Sequence, residues 1–134
     1  MALRYLLDTN ICIYIAKHHP LQVRKRFEQL HSGEVGMSFV THGELIFGAE
    51  KSQYRNQTLE KLGRLVEIIP VVFPDSHMAE HYGEIRAALE QSGQPIGAND
   101  LCIAAHARSL GVTLVSNNTK EFERVHELKL ENWL

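Results

Sequence analysis

Residues 95–107 constrain the fold more than any other stretch of this 134-residue chain. Pro95-Ile96-Gly97 is a turn-forming loop, and Ala98-Asn99-Asp100-Leu101-Cys102-Ile103-Ala104-Ala105-His106-Ala107 continues it as a helix of small and apolar residues. A helix apolar on nearly every side belongs in a core. Its first turn nevertheless carries Asp100, and a buried carboxylate needs a partner. Two readings stand. Asp100 or Asn99 caps the helix by accepting one of its free N–H groups, or Asp100 is a metal ligand at the mouth of a site.

The rest of the chain has the make-up of one globular unit. A length of 134 residues suits a single domain spanning 1–134 with one core. Hydrophobic residues are 44% and charged residues 22%, ordinary values for a folded soluble protein. No run is long enough to span a membrane, and the stretch up to Asp8 is too short for a signal peptide. Cys12 and Cys102 form no CxxC pair and read as small core residues of a reduced, cytoplasmic protein. With 16 acidic against 14 basic residues, the net charge of −2 does not advertise nucleic-acid binding, so any such partner must meet a local patch.

Short apolar runs alternate with helical patterns. Leu3 to Leu7 predicts a buried strand, followed at Asp8-Thr9-Asn10 by a helix that Asp8 is placed to cap. Pro20 suits the first turn of a second helix, with Val23, Phe27 and Leu30 on one face. Ser32-Gly33-Glu34 is a turn, and Val35 to Val40 predicts the next strand. Thr41-His42-Gly43-Glu44 reads as a T-x-x-E capping box opening a helix through Ala49. A helix with Leu59, Leu62 and Leu65/Val66 precedes the run Ile68 to Phe73, which Pro70 demotes to an edge strand. Asp75 caps a long helix closed by Gly93. Beyond the apolar helix, Gly111 is a stop, Val112 to Val115 a buried strand, Ser116 to Phe122 a short helix, and Leu128 and Leu130 mark a last strand. Strands alternating with helices predict an α/β fold: a parallel sheet with helices on both faces.

In such a fold the helices run antiparallel to the strands, so every strand-to-helix junction lies at the sheet's carboxyl edge. Asp8, Glu44 and Asn118 each follow a strand, and Asp100 opens the helix before one. Four positions distant in sequence are thereby brought to the crevice where open α/β sheets bind ligands. Capping explains each singly, but not three acids meeting with no basic residue in the same junctions. Crowded carboxylates repel and their pKa values rise unless a cation balances them. Oxygen ligands without His or Cys select Mg²⁺, or Mn²⁺ in its place. That ion can activate water for attack on a phosphodiester without any protein nucleophile.

LLDTN (6–10), THGELIFGAEKS (41–52), IRAALEQSGQPIGANDLCIAAHA (85–107) and LVSNNTKEFERV (114–125) together resemble the VapC toxins, PIN-domain ribonucleases of bacterial type II toxin–antitoxin modules. The likeness runs through essentially the whole chain. It implies a Rossmann-like PIN fold and a Mg²⁺-dependent endoribonuclease, with Asp8, Glu44 and Asp100 as acidic metal ligands. It also implies initiator tRNA, cut in its anticodon stem-loop, as substrate, with inhibition of translation as the result. A VapB-like antitoxin and a homodimer through the apolar helices of the 45–66 region are implied partners. The family's fourth acidic position is Asn118 here, which adds no charge. Glu121, one turn on, is either the missing carboxylate or a capping-box partner of Asn118. Thr9 and Ser116 are expected as hydroxyls at the rim, and Lys120 and Arg124 as contacts to RNA phosphates.

Other candidates are weaker. His77 and His81 share a helix face but lack a third ligand, so they read as a solvent-exposed pair. His42 and His106 lie near the site or are simply packed. Arg24-Lys25-Arg26 reads as a solvated face, and Arg86 with Glu90 as a surface ion pair. A receiver-type phosphoacceptor domain wants adjacent acids after the first strand, and a haloacid-dehalogenase-like phosphatase wants D-x-D there. Asp8-Thr9-Asn10 meets neither requirement. A catalytically inactive PIN-fold binding module remains the alternative, against which the three intact acids speak.

Overall fold

A computed structural model describes residues 2–134; Met1 lies outside the described residues. The strands are β1 (Tyr5–Leu7), β2 (Val35–Ser38), β3 (Val71–Val72), β4 (Thr113–Val115) and β5 (Leu130–Glu131). All pair in parallel in one sheet of order β3-β2-β1-β4-β5. Between them run α1 (Thr9–Ala16), α2 (Leu21–Glu28), α3 (Phe39–Glu50), α4 (Arg55–Ile68), α5 (His77–Gln91), α6 (Ala98–Leu110) and α7 (Thr119–Phe122).

The two-residue period of β1 assigns the layers. Tyr5 and Leu7 face one side, where they join Ile11, Ile15, Val23, Leu62 and Leu65 from α1, α2 and α4. Leu6 faces the other, against Ile85 and Leu89 of α5 and Ile103 and Ala104 of α6. Burial on both faces is what an all-parallel sheet requires. Leu6, Leu7 and Leu114 are completely inaccessible, so Leu6→Ala is expected to cost about 2–5 kcal/mol through the cavity it leaves.

β1 is the central strand, paired with β2 at Leu7–Met37 and with β4 at Leu7–Val115. The chain builds outward from β1 first on the β2 side and then on the β4 side. The crevice outside the carboxyl ends of β1 and β4 is therefore the topological switch point. Pro70 precedes the edge strand β3 as expected, and its carbonyl accepts the Met37 N–H at 2.9 Å. Gly36 permits this approach, since a Cβ there would stand 2.6 Å from Val72 Cγ2.

Several helix starts differ from expectation. α3 begins at Phe39, and its N-cap is Ser38, whose hydroxyl accepts the Val40 N–H at 3.2 Å. The Thr41–Glu44 capping box does not form, and the strand expected to reach Val40 ends at Ser38. α6 begins at Ala98 with Gly97 at its N-cap and no side-chain cap, so neither Asn99 nor Asp100 serves that purpose. Pro20 is the N-cap residue of α2 instead of a member of its first turn. Asp75 does accept the His77 N–H at 2.9 Å, one residue before the N-cap Ser76. Gly111 closes α6 in the left-handed region at φ 69, the conformation glycine adopts at least cost.

Candidate active site

Asp8 leaves β1 directly into α1 and does two things at once. Its Oδ1 caps the helix by accepting the Ile11 N–H at 3.1 Å, and its Oδ2 accepts a short hydrogen bond from the Ser116 hydroxyl. Ser116 leaves β4 and also accepts the Asn118 N–H at 2.9 Å. The exits of the two neighbouring strands are thus joined through one hydroxyl. Burial raises the Asp8 pKa above the usual carboxylate range, with Glu44 adding repulsion and the bonds from Ser116 and Ile11 opposing the rise.

Glu44 projects from the second turn of α3 and is held at both oxygens. The Thr9 hydroxyl donates to Oε1 at 2.6 Å and the Asn99 amide to Oε2 at 3.3 Å. Three elements, α1, α3 and α6, meet at this one carboxylate.

Asp100 lies in the first turn of α6. The Asn118 amide bridges it to Glu121, donating to Asp100 Oδ2 at 3.2 Å and to Glu121 Oε2 at 2.9 Å. Asn118 makes no capping bond to α7, so the capping-box reading of Glu121 does not hold. The Asp100 pKa is pushed up to about 7, by burial first, then by the hydrogen bond and charge of Glu121, and by the charges of Glu44 and Asp8. Glu121 shifts down, because Asp100 and Asn118 donate to it and Arg124 stands near. The two carboxyls therefore titrate together, Asp100 pushed up and Glu121 pushed down.

The donor set suits a hard cation. Among the described residues, no ion pair links Asp8, Glu44 or Asp100 to Lys, Arg or His. Burial first and then the neighbouring carboxylates raise the pKa values of Asp8 and Asp100, and no counter-ion among the described residues offsets the rise. Also among the described residues, no three acidic, His or Cys side chains converge tightly enough to wrap an ion alone. Their oxygens are bonded instead to Ser116, Thr9, Asn99 and Asn118. Mg²⁺ fits such a site because it keeps several waters and uses only one or two carboxylates.

The other expected residues fall as follows. Ser116 is fully buried, so its hydroxyl serves Asp8 and is not at the rim. Thr9 faces Glu44. Lys120 is exposed, while Arg124 donates to the Pro95 carbonyl at 3.1 Å. His106 is buried away from the carboxylates and bonds Ser38 at 2.8 Å. His81 accepts from Arg108 at 2.8 Å and is half-buried, so it is not half of a free histidine pair. Cys12 is buried, its thiol pushed up by burial and by the Asp8 charge. The expected Arg86–Glu90 pair forms at 3.0 Å.

Two residues were missed as members of the site. Asn99 reads in the sequence only as a cap, yet it donates to Glu44. Asn117 donates to the Tyr14 hydroxyl at 3.2 Å beside the Ser116 turn. The sequence signal for both is their place in the same junctions as the acids.

A parallel α/β sheet with unneutralised acids at its switch point defines a class, and a PIN-domain model matches residues 5–128. The tRNA(fMet)-specific endonuclease VapC of Shigella flexneri is 48% identical over 131 residues, covering 98% of each chain. Ribonuclease VapC2 of Haemophilus influenzae is 45% identical over 132 residues, covering 98% of this chain and 99% of its own. Among solved structures, VapBC-1 from nontypeable Haemophilus influenzae superposes with a TM-score of 0.91 at 41% identity, covering 98% of both chains. DNA-bound VapBC from Salmonella typhimurium gives 0.91 at 39%, covering 98% of this chain and 99% of that one. The chain belongs to the PIN-domain family, in its VapC branch of ribonucleases. No helix among the described residues is long and apolar enough to cross a membrane.

Proposed function

We propose that the protein is the toxin of a VapBC-type pair, an endoribonuclease that cuts tRNA with a divalent cation, Mg²⁺ or Mn²⁺, held by Asp8, Glu44 and Asp100. One observation carries this reading: Asp8 at the start of α1, Glu44 in α3 and Asp100 in α6 lie near enough for Glu44 and Asp8 to help push Asp100 up to about 7, and none has a basic partner among the described residues. When bound, the cation lowers the pKa of an attacking water and neutralises charge building on the phosphate and the leaving 3′ oxygen. Asp8 at the exit of β1 and Asp100 in the first turn of α6 would supply its oxygen ligands, and Glu44 enters from α3 under the restraint of Thr9 and Asn99. With a cation bound, Asp100 would be held in its ionised form. Asn118 keeps both carboxyls aligned through the change. Lys120 and Arg124 meet the flanking phosphates.

Initiator tRNA, cut in the anticodon stem-loop, is the proposed substrate, with arrest of translation as the consequence. Its support is the name of the Shigella flexneri relative. A VapB-like antitoxin, a homodimer, a single domain over residues 1–134 and a cytoplasmic setting complete the proposal. The VapBC complexes of matching fold support the antitoxin. The test is cleavage of a total tRNA pool with Mg²⁺, with EDTA, and by Asp8→Asn and Asp100→Asn. Cutting only by the wild type with Mg²⁺ is expected. Cutting in EDTA, or full activity in both variants, overturns the reading.

A further inference from the structure

Beside the carboxylates, between α5 and the loop leading into α6, lies a cavity of about 340 Å³. The buried side chains of Leu89 and Leu101 line it, Tyr82 and Ile96 add an aromatic ring and a branched chain, and the Arg86–Glu90 pair stands exposed at its edge. Arg86 also donates to the Tyr82 hydroxyl at 3.1 Å, which fixes the ring beside the guanidinium. The volume is at the small end for ligand pockets, on the order of 300–1,000 Å³, the size for one flat group and not an extended peptide.

The cavity shares a wall with the acidic centre. Pro95, Ile96 and Ala98 line it, and the same loop bears on the acids through Gly97. A Cβ at Gly97 would stand 4.0 Å from Asp100 Oδ2, and the Gly97 N–H helps lower the Glu121 pKa. Arg124 of α7 grips the Pro95 carbonyl. A strand whose phosphate lies at the carboxylates therefore has its next residues carried over the tip of α6. Arg86, Arg124 and Lys120 supply positive charge around this path on a chain whose net charge is −2.

We infer that this cavity receives an unstacked nucleobase of the RNA strand, one or two nucleotides from the bond that is cut. The inference rests on the ribonuclease reading above. The chemistry is that of single-stranded RNA recognition: an aromatic face and apolar walls for the base, an Arg–Glu pair offering a donor and an acceptor to its edge, and cations for the backbone. The base must be splayed from its stack to enter, so a loop is the form of RNA that fits.

The test uses RNA hairpins of the initiator anticodon stem-loop, each with one abasic nucleotide near the cut. With wild-type protein and Mg²⁺, one abasic position is expected to lower kcat/KM by about 5- to 100-fold, the range for loss of one stacked base. Tyr82→Leu and Ala98→Phe are expected to lower it similarly on the intact hairpin, with no further loss at that abasic position. Ala98 is exposed, so filling the cavity from there leaves the core intact should Tyr82→Leu unfold. Hairpin affinity is read in parallel on Asp8→Asn protein, with and without each cavity substitution. A base-dependent affinity lost with the cavity upholds the inference even if cleavage itself is absent. A flat abasic scan, additive losses, or cavity variants that bind and cut like the parent overturn it. So does a change from dimer to monomer in sedimentation, which would make the cavity a contact between copies.

Discussion

Glu44 of α3 is held by the hydroxyl of Thr9, the first residue of α1 and 35 positions away in sequence. Thr9→Val removes the 2.6 Å bond to Oε1 while keeping the side-chain shape. RNA cleavage is expected to fall by about 10- to 100-fold, as for other loss of support behind a metal ligand, and Thr9→Ser is expected to retain it. Unchanged activity in Thr9→Val would leave Thr9 with no part in the site. Asn118 is the second sensitive position. Asn118→Asp replaces a donor shared by Asp100 and Glu121 with a third negative charge. In EDTA at pH 8 the variant is expected to melt below the wild type, and saturating Mg²⁺ to narrow the gap. At this scale the sequence exposes the acids, because the place of Asp8 and Glu44 after strands and of Asp100 at a helix start is visible. It hides Thr9 and Asn99 as their partners, because those bonds cross between helices that no local pattern relates.

α3 shows why an element can be legible while its start is not. Ser38 and Thr41 are both good N-caps, and Glu44 completes a box only with Thr41. The choice is made by tertiary pairing: β2 pairs with β1 as far as Met37 and with β3 as far as Ser38, and the helix begins where the ladders end. Glu44 is thereby placed deeper in α3 and turned toward the site. Ser38→Ala is expected to destabilise by about 1–2 kcal/mol in chemical denaturation, through the lost cap and the unpartnered His106. Thr41→Val is expected to be neutral or stabilising, since the Thr41 hydroxyl is buried without a partner. Equal losses in the two variants would contradict this assignment. The strands, by contrast, were legible to within two or three residues because each is an apolar run bounded by turn residues. The edge strands β3 and β5 are two residues each, and at β3 Pro70 carried the signal.

The whole molecule gathers negative charge at one edge of the sheet at a cost in stability. Asp100 stands at about 7 in the fold against 3.8 as its ordinary value. Between about pH 4 and 7 the folded chain therefore binds more protons than the unfolded one, and its stability falls as pH rises through that window. Asp8 adds to the same trend. In EDTA the melting temperature is expected to be higher at pH 5.5 than at pH 8 as far as these groups decide it. Mg²⁺ in a hundredfold excess over its dissociation constant adds about 2.7 kcal/mol. The parallel sheet and its switch point followed from the alternation of elements. The opposite shifts of Asp100 and Glu121 did not, since they depend on the side-chain geometry at α6 and α7.

The most direct measurement is calorimetric titration of Mn²⁺ into the protein near pH 7, repeated on Asp8→Asn and Asp100→Asn. Wild-type protein is expected to bind with release of a proton, and each variant at least about tenfold more weakly, in line with loss of a ligand oxygen. Equal affinity in all three proteins, or no binding by any, would contradict the claim that these distant carboxylates form one cation site.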